Sequence, residues 1–346
     1  MSNGLPLLII ALHVLAKVAA SQAGNQCSSV THPISGTGLL QVVTHEVSGG
    51  VVNEEGVFGD EGIFRAKDEV DGDGCHTQVG FTYLLPADEA LPSNFPVQME
   101  DIAIGMISGR NEFYDAVHET VLRYAPRGVL IEVAGKCPCS FRAAFRALKA
   151  YHPDAKWYYV GDEDVMMNLA SLTTLLSKFN SSEPTVVSSG GGNQICKVCG
   201  MCPPIMTQSG TYGSRAFYGG TGQILSAGLL KAIEPTIGEV CAQAVFKTLN
   251  NFGDLENTCH IIRSWTPDFK YVFLPKNHSS AEAFVREAPP NFVTAHHMCP
   301  EKIRQLAHVN KDMQVVRNSL VMMANSDNDG CVGFTASDSF GKPAGQ

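Results

Sequence analysis

Asp162-Glu163-Asp164 places two carboxylates two positions apart, directly behind the apolar run Lys156-Trp157-Tyr158-Tyr159-Val160-Gly161. That run has the length and aromatic content of a buried strand, so the acids fall where the strand runs out. Hard divalent cations take oxygen ligands, and a cation held by such a pair is suited to grip a diphosphate. A second chemical feature is Phe217-Tyr218-Gly219-Gly220-Thr221-Gly222, followed by Leu225, Leu229 and Ile233 at helical spacing. Glycines at the start of a helix let backbone amides approach a ligand closely, and the helix dipole there favours anions.

These residues need a frame to position them. Ile102-Ala103-Ile104-Gly105-Met106-Ile107 reads as a buried strand, Glu112 to Tyr124 as a helix and Gly128-Val129-Leu130-Ile131-Glu132-Val133 as a second strand. Strand, helix, strand is the βαβ signature of an α/β fold. Ser140 offers a cap for a helix through Phe141, Phe145 and Leu148, which delivers the chain to the third strand and its acids. A helix through Leu169, Leu172, Leu176 and Phe179 follows, and in open α/β sheets ligands sit outside the carboxyl ends of the strands.

The chain has 346 residues, 44% of them hydrophobic, which is ample for one large domain or two smaller ones. A net charge of -9 with no cluster of Lys and Arg argues against nucleic acid as a partner. Anionic substrates then require help from a metal. Leu5 to Ala20 is largely apolar and leads into Ala19, Ala20, Ser21 and Ala23, so residues 1–23 read as a signal peptide or a short signal-anchor. No later segment is long and apolar enough to cross a bilayer. Secretory routing, to the Golgi or ER lumen or outward, agrees with eleven cysteines and with the sequons Asn180-Ser181-Ser182 and Asn277-His278-Ser279. Cys196, Cys199 and Cys202 read as disulfide partners, with zinc, held together with Cys137 and Cys139 if these lie near in space, as the alternative.

The ordered blocks Trp157 to Asp164 with Leu172, Leu175 and Leu176, then Phe217 to Ser226, resemble the Fringe-like β-1,3-glycosyltransferases, a group that includes the core 1 β-1,3-galactosyltransferases. Phe252-Gly253-Asp254-Leu255-Glu256-Asn257-Thr258-Cys259 is similar to the family's acidic segment, with Leu255 where a second acid stands. Asn291-Phe292-Val293-Thr294-Ala295-His296-His297-Met298 is similar to its last motif strand, with Ala295 in place of an aromatic residue. The resemblance spans Ile102 to about Leu306. It implies a GT-A type nucleotide-sugar-binding fold with a mostly parallel central sheet flanked by helices.

On that resemblance Asp162, Asp164 and His296 hold Mn²⁺ or Mg²⁺, and Asp254 is the base that deprotonates the acceptor, with Glu256 and Glu239 in reserve. Ser108, Arg110, Asp162, Glu163, Gly219, Gly220 and Gly222 line the donor, a UDP-sugar. The implied reaction transfers a hexose or N-acetylhexosamine, with inversion and through a β-1,3 linkage, to a glycan or glycoprotein. The alternative is a secreted glycosyltransferase-like binding protein without turnover, which the missing acid at Leu255 favours. The expected organisation is an acidic, Gly-rich lumenal lead-in over 24–97, the catalytic domain over 98–310 and a loosely ordered tail over 311–346.

Overall fold

The computed structural model describes residues 75–86, 90, 92–133, 139–190, 199, 217, 218, 220–237, 253–316, 320–327 and 330–337. The N-terminal leader, most of the lead-in, Gly219, Glu239, Cys137, Cys196 and Cys202 lie outside the described residues. In chain order the strands are β1 (Gln78–Tyr83), β2 (Ile102–Ser108), β3 (Arg127–Val133), β4 (Trp157–Asp162), β5 (Met166–Met167), β6 (Thr185–Gly190), β7 (Phe217–Tyr218), β8 (Gln223–Ser226), β9 (Lys270–Leu274), β10 (Lys276–Ser280), β11 (Phe292–His296), β12 (Leu320–Asp327) and β13 (Gly330–Ser337). The helices are α1 (Asn111–Thr120), α2 (Ser140–Tyr151), α3 (Leu169–Leu176), α4 (Ala227–Ile237), α5 (Gly253–Arg263), α6 (Ala281–Glu287) and α7 (Pro300–Gln305).

The architecture is mixed α/β. A large sheet runs β13-β12-β3-β2-β4-β8-β6-β7, with β9 also on β6. The run β12-β3-β2-β4 is parallel throughout, and β6 pairs β9 in parallel. The pairs β13 with β12, β4 with β8, β8 with β6 and β6 with β7 are antiparallel. Every residue of β2 is buried, as a strand covered on both faces must be. Its side chains alternate between two cores. Ile102, Ile104 and Met106 join Trp157, Tyr159, Phe113, Val117 and Leu172 on one face. Ala103 and Ile107 join Tyr158, Val160, Phe145, Leu148, Leu229 and Cys259 on the other.

A smaller antiparallel sheet, β10-β1-β11-β5, contributes to the first of these cores through Val79, Phe81 and Phe292. Its β5 begins only four residues after β4 ends, so the acidic triplet is the hinge between the two sheets. β11 pairs β5 through Ala295 with Met166, and β1 through His296 with Gly80. The last motif strand is thereby carried to the acids.

Four expectations require correction. β1 lies in the stretch assigned to the lead-in, yet it is hydrogen-bonded to both β10 and β11, so the folded unit begins before residue 98. The expected loose tail contains β12, which lies parallel to β3 from Leu320 opposite Val129 to Ala324 opposite Val133. The glycine run leads into strand β8, and the helix begins only at Ala227. Leu225, Leu229 and Ile233 do share the second core, so the helical spacing was satisfied by a strand residue and two helix residues. Cys139, not Ser140, is the residue before the first turn of α2, and it caps without a side-chain hydrogen bond. A true side-chain cap occurs at Asn168, which accepts from the amide of Ser171 and starts α3.

Candidate functional site

β2 and β4 are neighbours, with Ile107 opposite Asp162. From β2 the chain crosses to β3 on one side, and from β3 back to β4 on the other. The carboxyl ends of β2 and β4 therefore emerge side by side at a point where the winding reverses, the place where α/β sheets bind ligands. The turn after β4 is closed by the Val165 amide donating to the Asp162 carbonyl at 3.2 Å, and the Met298 amide donates to the Asp164 carbonyl at 2.9 Å.

The three acids of the turn have separate environments. Glu163 is buried and points back to the end of β2, where its Oε2 accepts the Gly109 amide at 2.7 Å and its Oε1 pairs with the Arg110 guanidinium. Arg110 also lies 4.2 Å over the Phe113 ring, while half of its side chain stays exposed. Ser108 is fully buried and donates its hydroxyl to the Arg110 carbonyl at 3.2 Å. Of the residues expected to meet the donor, Ser108 and Glu163 thus shape the loop, and Arg110 keeps surface free to meet a ligand.

Asp162 and Asp164 face one another electrostatically. Burial pushes the Asp162 carboxyl well above its usual range, and Asp164, Asp254 and Glu163 push it the same way against Arg110. Burial likewise raises Asp164, opposed by His297, Arg110 and His76. Asp164 Oδ1 is buried and has no hydrogen-bond partner among the described residues. His296 Nε2 stands 3.5 Å from it. Burial first, then Lys276 and His76, hold the His296 imidazole down at about 3, so it is neutral at pH 7. Crowded carboxylates, an orphaned oxygen and a neutral imidazole fit a divalent cation, and the mixed oxygen and nitrogen donors suit Mn²⁺ better than Mg²⁺.

Two further histidines reach this place. Ligand atoms of His76, Asp164 and His297 lie within 4.8 Å of one another. The His76 and His297 rings stack at 4.1 Å, and the His297 ring lies 3.9 Å from that of His296. His76 precedes β1, so its arrival depends on a strand inside the stretch expected as the lead-in. Each histidine is close to a cysteine in sequence, and a disulfide joins Cys75 to Cys299 across 224 residues. That proximity to cysteine was the visible signal, but pairing cannot be read from sequence alone.

Asp254 approaches from the other face of the sheet. It is buried in the first turn of α5 and is near enough to Asp162 to raise its carboxyl. Gln223, opposite Val160 in the β4–β8 ladder, donates its amide to the Asp254 carbonyl at 2.9 Å and to Thr258 Oγ1 at 2.9 Å, and accepts from Asn257 Nδ2 at 2.6 Å. The start of α5 is thus fixed against β8, the antiparallel neighbour of the strand that ends in Asp162. Glu256 points elsewhere, 3.2 Å from Arg142 on α2, and this removes it as the reserve base. Leu255 packs in the second core, so the acid missing at that position is missing from an apolar layer.

Arg142 Nη1 also lies 3.4 Å from His260 Nδ1. A guanidinium can only donate, so this imidazole is neutral with its proton on Nε2. Burial, then Arg142 and Arg263, lower His260 to about 4, while burial raises Glu256 to about 7. Stability from the neutral histidine is present above its unfolded value of 6.5 and is lost as pH falls through 4. We therefore expect His260→Gln to be most destabilising near pH 7 and least near pH 4, with the gap to the parent shrinking by about 3 kcal/mol. Urea unfolding at both pH values measures it, and a gap independent of pH refutes the assignment.

Among the expected glycines, Gly222 has a packing reason. Its φ is 87°, and a Cβ there would overlap the Tyr159 hydroxyl, which itself donates to the Thr221 carbonyl at 3.3 Å. Gly222→Ala should cost about 2–4 kcal/mol, combining a left-handed backbone with overpacking, and a shift in the urea midpoint reports it. Gly220 is buried beside it. Cys199 is disulfide-bonded to Cys259, which corrects the alternative of zinc on Cys196, Cys199 and Cys202, since the bonded sulfur is no thiolate. Cys139 is also in a disulfide. No protein-family model matches this chain, and no curated protein matches it.

Proposed function

We propose that this chain is a metal-dependent inverting glycosyltransferase of the secretory pathway. It would move a hexose or N-acetylhexosamine from a UDP-sugar to a glycan or glycoprotein, forming a β-1,3 linkage. The observation that carries this reading is the approach of Asp162, Asp164, His296 and Asp254 to the carboxyl ends of two parallel strands at a reversal of winding. The disulfides agree with a lumenal setting. Under this reading Asp162, Asp164 and His296 hold Mn²⁺, which when bound neutralises the charge gathering on the departing diphosphate. Arg110, anchored by Glu163, offers its exposed edge to the nucleotide. Asp254 takes the proton of the attacking hydroxyl, and its burial keeps water from competing for the donor.

A screen of UDP-sugars for donor hydrolysis, with and without Mn²⁺, tests the proposal. Release of UDP from one donor only when Mn²⁺ is present supports it. UDP binding with no hydrolysis or transfer for any donor would instead indicate the inactive binding protein, and no UDP binding at all rejects both.

A further inference from the structure

The cation reading leaves His76 and His297 unused, although their ring nitrogens and the Asp164 carboxylate come together within 4.8 Å. His297 is the one residue other than glycine with positive φ among the described residues, at 70°. Such a backbone is costly for a side-chain-bearing residue and persists where surrounding structure enforces it, which directs attention to function. Two constraints enforce it here. The next residue, Met298, donates its amide to the Asp164 carbonyl at 2.9 Å, and the residue after that is bonded to Cys75. The same disulfide fixes His76, its immediate neighbour, and the Thr77 carbonyl is held by the Ala281 amide at 3.0 Å. Both imidazoles are thus locked beside a carboxylate whose buried Oδ1 has no hydrogen-bond partner among the described residues.

We propose that His76 and His297 join Asp164 as direct ligands of the cation, so that two imidazoles and the Asp164 carboxylate form one face of its shell beside Asp162 and His296, an arrangement that favours a first-row transition ion over Mg²⁺. Imidazole suits the later first-row ions such as Zn²⁺, and Mn²⁺ accepts it more readily than Mg²⁺, which demands near-ideal octahedral oxygen ligation and dehydrates reluctantly. Two histidines and one carboxylate leave further coordination positions open, as a centre that must accept substrate oxygens requires. The disulfide acts as a covalent brace, since one histidine precedes β1, the other follows β11, and the cysteines beside them lie 224 residues apart in sequence. The inference rests on the reading that Asp164 holds a cation, and it adds which atoms complete the shell and which ions fit.

The test uses the full chain with its disulfides intact and metal alone, without nucleotide. Calorimetry with Mn²⁺ and Mg²⁺ should show Mn²⁺ bound at least about 100-fold more tightly, and His76→Gln should weaken Mn²⁺ by about tenfold or more. Pulsed EPR of the parent loaded with Mn²⁺ supplies a measurement independent of any variant. More than one bound imidazole nitrogen is expected, with one lost in His76→Gln. Equal affinity for the two ions, or an unchanged nitrogen count in His76→Gln, overturns the inference. If Asp164→Asn still abolishes Mn²⁺ binding in that case, the cation reading survives. If the parent binds no Mn²⁺, the cation reading itself falls.

Discussion

Asp164→Asn should abolish Mn²⁺-dependent UDP binding, by about 100-fold or more, while making the metal-free protein more stable at pH 7. The two effects have one cause. Burial outweighs the opposing charges of His297, Arg110 and His76, so the Asp164 carboxyl titrates above its ordinary range in the folded chain. A folded state that holds its proton more tightly than the unfolded chain loses stability as pH rises from the unfolded value of 3.8 through the raised one. At pH 7 the parent has lost that contribution, and the amide variant never carried the charge. The stabilisation should therefore fade as pH is lowered below about 4, where both forms are neutral. Calorimetric titration of UDP with Mn²⁺ measures the loss, and thermal scans in chelator across pH measure the gain. Undiminished UDP affinity would remove the cation from Asp164. A variant less stable than the parent at pH 7 would show that His297, Arg110 and His76 hold the carboxylate more strongly than burial strains it.

What the sequence revealed and concealed divides along sequence distance. β2, β3 and β4 were legible because a strand covered on both faces must be apolar nearly throughout, and Ile102 to Ile107 and Trp157 to Gly161 are such runs. The acids at the end of β4 were legible for the same reason, as polarity returning abruptly after a buried run. β8 was not, because its four residues precede a helix and Leu225 falls in step with Leu229 and Ile233, so one spacing covered two kinds of structure. β1 was hidden by its composition: Gly80 lies within it, and Gln78 and Thr82 break the apolar signal, although Thr82 is buried with its hydroxyl 2.8 Å from that of Thr294. β12 stands behind a stretch rich in polar residues and declares itself only by pairing with β3. His76 and His297 illustrate the limit. Each is an unremarkable histidine until a disulfide and a strand ladder bring them together, and neither pairing leaves a local trace in the sequence.

Asp254→Asn should leave donor and Mn²⁺ binding within about twofold of the parent and reduce transfer by about 10²–10⁴, the range a positioned general base contributes. That corresponds to about 3–5 kcal/mol of barrier. The separation of effects follows from where the residue stands. Its backbone is fixed by Gln223 and Thr258 through the carbonyl, so an amide side chain leaves the start of α5 in place. The cation would be held by Asp162, Asp164 and His296, and the change removes only an electrostatic neighbour of Asp162. That removal lowers the crowding on Asp162, so metal affinity should hold or rise slightly, an outcome opposite in sign to the loss at Asp164. Glu256→Gln supplies the contrast on the same helix: its carboxylate faces Arg142 in the buried layer, away from Asp162, so turnover per folded molecule should be retained. Single-turnover transfer with the donor identified by the hydrolysis screen reads the chemical step directly. Full turnover in Asp254→Asn together with a chemical defect in Glu256→Gln would transfer the base role to Glu256, and the electrostatic proximity of Asp254 to Asp162 would then be a structural feature of α5 docking.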